Sequence, residues 1–216
     1  TNYEIFKIFK GNLRVTLFLS KEEIINFDDN QILSWYDDER YFYYFYPEFK
    51  ALRQAKKYQH VKIDDDVGQY ESKRKTGEND TYICELIRKD SINNFISYVK
   101  NNNINLDSYI NKSFYETNQM LLENEKVSLI QYAAFFGSVE IFKYLSVSGV
   151  KIEKSIWKFA IHGENYDLIN KIIESCPYPT NDQNAAEELL LTAIRCFNFD
   201  MFNYISAEFE SLIKKT

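Results

Sequence analysis

The chain has 216 residues, 45% of them hydrophobic and 17% aromatic, enough to bury a substantial core and to exclude disorder over most of its length. Its net charge of −6 argues against a protein that tracks nucleic-acid phosphates, because that affinity comes largely from Lys and Arg replacing condensed counterions. Cys84, Cys176 and Cys196 form an odd set without paired spacing, no apolar run approaches bilayer length, and the N-terminus shows no signal segment; the expectation is a reducing, cytoplasmic compartment and no membrane span.

In chain order, residues 1–63 read as an N-terminal helical region. Leu13, Val15, Leu17 and Leu19 alternate as in a half-buried strand, yet Ser20-Lys21-Glu22-Glu23 matches a capping box, which predicts a helix from about Lys21 and helix before it. Tyr41 to Tyr46 are six consecutive aromatics. On one helix they would cover every face, so either Tyr43 and Tyr44 help form an exposed interface or the segment is buried among the N-terminal helices. Pro47 suits a first helical turn, with Phe49, Leu52, Ala55 and Tyr58 following every three residues. Residues 64–80 are strongly polar and without apolar period, the composition of a linker, and Lys73-Arg74-Lys75 reads there as a solvated loop.

From residue 81 onward a repeating unit is expected. Ala133-Ala134, Ala160-Ile161 and Ala193-Ile194 recur at intervals of 27 and 33 residues, a period typical of stacked helical repeats. Each is followed by a polar cap, Ser138, Asn165 and Asn198, with an acid two residues on to favour the positive end of a helix dipole. Behind each cap an apolar stripe returns: Ile141, Phe142, Leu145; Leu168, Ile169, Ile172; Met201, Phe202, Ile205. An earlier copy follows Ser91, with Phe95, Ile96 and Val99 slipped by one residue, and its inner helix begins at Tyr82–Arg88. Ser113 to Leu122 supplies a further helix in an irregular unit. The implied units are 81–109, 110–126, 127–154, 155–187 and 188–216.

The best unit carries Ser128-Leu129-Ile130-Gln131-Tyr132-Ala133-Ala134, then Gly137-Ser138-Val139-Glu140-Ile141-Phe142, then Gly149-Val150-Lys151-Ile152-Glu153. These residues resemble the ankyrin repeat (T-P-L-H-x-A-A, x-x-G-H-x-E-I-V, G-A-D-V-N), and the wording is similar to divergent ankyrin-type proteins numerous in parasitic protists. The other units lack the T-P-L-H opening, and Cys176-Pro177-Tyr178-Pro179 stands where a closing glycine would follow Ile172. The resemblance covers roughly residues 81 to 209. It implies an all-α, ankyrin-like solenoid of antiparallel helix pairs whose concave face and turn tips bind other proteins.

On that basis the partner-binding candidates are Phe135 and Phe136, at positions ankyrin-type binders vary, their equivalents His162 and Arg195, the turn-tip residues Lys151, Glu153 and Lys154, and Tyr43 and Tyr44. For the two phenylalanines the competing reading is packing between neighbouring helix pairs. His60 and His162 are far apart and have no ligand-spaced companions, and neither a phosphate cradle nor a nucleophile motif is present, so no catalytic, cofactor or metal site is expected. The functional expectation is a non-enzymatic scaffold for one or more protein partners. The alternative is a structural component of a larger, for example cytoskeletal, assembly, and a start at Thr1 suggests a fragment of a longer protein.

Overall fold

A computed structural model describes residues 1–27, 39–50, 67–177 and 182–213. The fold is all-α, and the described backbone divides into two compact units. Residues 1–81 and 111–125 form the first; residues 82–110 and 126–216 form the second. The segment expected as an irregular repeat therefore belongs with the N-terminal region.

In the first unit, α1 (Asn2–Phe9) opens with a capping box from Thr1 and Glu4, and α2 (Leu13–Lys21) is capped by Asn12, whose side chain accepts from Val15 N. The helix expected to start at Lys21 instead ends there. Glu23 takes a left-handed φ of 58°, Ile24 N reaches back to Leu19 O at 2.9 Å, and the turn drops Ile25 and Phe27 into the core. The aromatic run forms α3 (Glu39–Tyr44) and α4 (Tyr46–Lys50), with Pro47 in the first turn of α4. Phe42, Tyr44, Phe45 and Phe49 are buried with Phe6, Leu13, Ile25 and Phe27. Phe42, Phe45 and Phe49 follow at i, i+3 and i+7, a single helical stripe, and a bond from Phe49 N to Phe45 O at 3.1 Å spans the junction of the two helices, so of the buried aromatics in the run only Tyr44 lies off that stripe. Leu52, Ala55 and Tyr58 lie outside the described residues.

Val67–Thr76, expected as polar linker, is a ten-residue helix, α5. Its buried side is made by Tyr70 and Arg74, one turn apart, a pairing that a search for apolar period cannot register. Arg74, expected in a solvated loop, is 3% exposed. The inserted segment fastens onto the residues after α5: Thr117 Oγ1 donates to Gly77 O at 2.7 Å, Asn79 Nδ2 to Asn111 O at 2.6 Å, and Ser113 Oγ to Asp80 at 2.7 Å. Only Gln119–Glu123 of the helix expected over 113–122 forms (α8). Ser113 Oγ accepts from Tyr115 N and Glu116 Oε1 from Asn118 N, local bonds that compete with helical ones.

The second unit is a row of four helix pairs: α6 (Tyr82–Arg88) with α7 (Ile92–Asn101), α9 (Leu129–Phe135) with α10 (Val139–Val147), α11 (Ile156–Gly163) with α12 (Tyr166–Ser175), and α13 (Gln183–Arg195) with α14 (Phe199–Ile213). The first members pack in order α6, α9, α11, α13, and behind them α7, α10 and α12 pack in order. Phe95, Leu145, Ile172 and Ile205 are each fully buried along this row. Every pair turns at the same register. Asp90, Gly137, Glu164 and Phe197 all adopt positive φ, between 45° and 64°, immediately before the capping residue. Three of these positions carry a side chain where glycine would be least strained.

The caps also bind one pair to the one before it. Asn165 and Asn198 accept first-turn N–H groups through Oδ1, while their Nδ2 atoms donate to Gly137 O at 3.2 Å and Ile161 O at 3.0 Å. Ser138 departs from the expected role: its hydroxyl donates to Ile87 O at 2.6 Å, and the α10 N-terminus is capped from the previous pair by Asp90, which accepts from Glu140 N and Ile141 N. Asn198→Ala removes both a cap and a buried bond between pairs. We expect it to cost about 2 kcal/mol; a chemical-denaturation midpoint equal to wild type would show that the amide holds nothing together.

Candidate interaction surface

The shared register places one residue of each pair at the same point, just before the left-handed turn: Arg88, Phe135, His162 and Arg195. Small residues behind them bring the first helices together, with Ala133, Ala134, Ala160 and Ala193 all buried. Phe135 is itself buried and stacks on the His162 ring at 3.7 Å between centroids, 16° from parallel. Its side chain therefore fills the joint between two pairs, as the packing alternative has it, and is not an open contact. Phe136 is half-buried, with Tyr132 at 4.8 Å, Phe135 at 4.9 Å, and the Arg88 guanidinium 5.9 Å from its ring centroid. Arg88 is held in that position by a 2.9 Å bond from Nη1 to the hydroxyl of buried Tyr132.

Arg88, Phe136 and the His162 imidazole are thus linked across three pairs, Arg88 to Phe136 directly and Phe136 to His162 through the buried ring of Phe135. Arg88 and Tyr132 were not among the sequence candidates. Extending the register one unit back from Phe135 lands on Arg88, so the signal was present. Arg195 is exposed in the fourth pair. Lys151 and Glu153 are exposed and pair with each other at 3.3 Å. Lys154 borders a cleft of about 220 Å³ shared with Ser155, Lys158, Ala185, Glu188 and Leu189.

The two tyrosine candidates belong to the first unit. Tyr43 is half-buried and stacks on Phe114 with 3.9 Å between ring centroids. Tyr44 is 0% exposed, its hydroxyl directed at Arg74 O, so it is core and not contact surface.

Burial of the imidazole lowers the His162 pKa from its ordinary 6.5, against opposing contributions from a hydrogen bond to the Phe135 backbone and the charge of Glu164. The unfolded chain therefore takes up the proton more readily than the folded one. Stability from this residue is complete above pH 6.5 and declines as pH falls toward the lower folded value. The melting advantage of wild type over His162→Gln should shrink between neutral pH and about pH 5. A constant difference across that window would mean that the ring titrates alike in both states.

Among the described residues, no group of three or more His, Cys, Asp or Glu side chains is placed to hold a metal ion, and no helix is long and apolar enough to cross a membrane. Compared with protein-family models, curated proteins and solved structures, the chain matches none.

Proposed function

We propose that residues 82–110 and 126–216 form an ankyrin-like helical-repeat module that binds a protein partner without catalysis. The observation that carries this reading is the partly open Phe136 ring beside Arg88, linked through buried Phe135 to His162, with the residues contributed by three successive pairs that share one turn register. A recognition surface needs a rigid apolar anchor with polar groups at its margin, and residues such as Tyr, Phe and Arg dominate such contacts. Phe136 has that character: it is packed on two aromatic rings and still partly open to solvent. The exposed turn at Lys151, Glu153 and Lys154 would add a charged margin.

Crosslinking with mass spectrometry in native extract identifies the partner, and titration of the purified partner measures its affinity. Phe136→Ala should weaken binding about thirtyfold, as expected for a contact of about 2 kcal/mol, while leaving the melting transition in place. Unchanged affinity for every recovered partner would place recognition elsewhere on the protein.

A further inference from the structure

The outward face of α13 carries an apolar patch that remains exposed among the described residues, with Leu191 and Ile194 each 53% exposed. Ile194 occupies the register position of Ile87, Ala134 and Ile161, which are each 0% exposed, yet Ile194 is 53% exposed. Leu191, also 53% exposed, stands where Gln131 and Lys158 stand in the two preceding pairs. The core side of α13 is made instead by Ala186, Leu189 and Ala193. At 100° per residue, Leu191 projects almost opposite to these three.

The charges around the patch specify what fits it. Glu187, Leu191 and Arg195 are spaced four apart and form a single ridge, all exposed, with an acid at one end, a leucine in the middle and a base at the other. Such a ridge is complementary to itself reversed. When two helices pack with their i, i+4 ridges aligned, the commonest crossing, near −50°, lays the ridges side by side. If the second helix is the same helix related by a two-fold axis beside Leu191, Glu187 of each copy meets Arg195 of the other and the leucines meet at the centre.

We propose that the outward face of α13 docks a second copy of this chain, antiparallel helix against helix, around a two-fold axis at Leu191. This association does not rest on the partner-binding reading above, because it uses neither Phe136 nor Arg88. A contact of one helix on one helix is small, so the dimer forms with rising concentration and dissociates on dilution.

Sedimentation equilibrium of the full chain tests the proposal. Wild type should pass from monomer to dimer as concentration rises, and Leu191→Asp should stay monomeric with an unchanged circular-dichroism spectrum. Glu187→Arg and Arg195→Glu should each weaken self-association about tenfold, since each turns two attractive contacts into repulsive ones. An equimolar mixture of those two variants should recover wild-type association, because each chain then supplies the charge that the other needs. A wild-type chain that remains monomeric throughout, a dimer indifferent to these substitutions, or a mixture that fails to associate would overturn the proposal.

Discussion

Gly163→Ala should unfold the row of helix pairs more readily than the same change at Gly137 or Gly149. A Cβ at Gly163 would lie 2.2 Å from the Ala134 carbonyl oxygen and 3.0 Å from Gly137 N, and both obstacles are backbone. A flexible side chain could swing aside, but a carbonyl in the last turn of α9 cannot move without displacing the helix. The reciprocal contact is nearly as close, since a Cβ at Gly137 would meet Gly163 O at 2.9 Å. The two glycines let successive pairs touch main chain to main chain, and this proximity brings Asn165 Nδ2 within 3.2 Å of Gly137 O. Overpacking at an unyielding site costs about 3 kcal/mol or more. For a unit of this size that lowers the melting midpoint by on the order of 10 °C.

Two further glycines separate steric from conformational cost. Gly11 has nothing within 4 Å of a built Cβ and no unusual φ, so Gly11→Ala should be close to neutral. Gly149 also faces open space but has φ +91°, so Gly149→Ala should lose about 1 kcal/mol through backbone strain alone. Differential scanning calorimetry of the three variants should rank them Gly163, Gly149, Gly11. If Gly163→Ala melts with Gly11→Ala, the pairs are not in backbone contact.

The register of these pairs was legible because it is written locally. Ala133, Ala160 and Ala193 mark where helices approach closely, and the caps and stripes that follow obey short-range rules. What stayed illegible depends on partners distant along the chain. Ser138 looks like any capping serine, but its hydroxyl serves Ile87 O and the capping duty passes to Asp90. No spacing rule within one helix exposes an exchange across about fifty residues. The left-handed turns were hidden for another reason: glycine marks only Gly137, whereas Asp90, Glu164 and Phe197 hold the same conformation under tertiary constraint. For the candidate surface, the alignment offered both Phe135 and Phe136 but could not say which would face the joint. Stacking on His162 decided that, with one ring buried and the other left partly open. In the first unit, polar composition concealed α5 because its inward residues are a tyrosine and an arginine.

Arg74→Met should strongly destabilise the first unit. Nη1 of Arg74 donates to both oxygens of Glu48 at 2.9 and 2.8 Å and to Tyr44 O at 3.3 Å, and Nη2 reaches Glu71 at 2.7 Å. The Tyr44 carbonyl and that of Tyr43 lie at the helix break imposed before Pro47, which supplies no N–H to continue the ladder. Tyr70 completes their satisfaction, its hydroxyl lying 2.6 Å from Tyr43 O and 2.8 Å from Tyr44 O. Burial raises the Tyr70 pKa well above its ordinary value of 10.0, so the phenol keeps its proton and remains a donor. Removing the guanidinium strands the Glu48 carboxylate, whose side chain is only 19% exposed, against an apolar replacement. Breaking one side of such a pair costs about 3–5 kcal/mol, mostly from the uncompensated charge left behind. The origin of the loss is separable from its size. Arg74→Met combined with Glu48→Met removes both charges and should recover a large part of the stability lost by Arg74→Met alone, a coupling of at least about 1 kcal/mol in a double-mutant cycle. Additive losses in calorimetry would instead mean that Arg74 contributes through its aliphatic stem and its bond to Tyr44, with the carboxylate adequately solvated on its own.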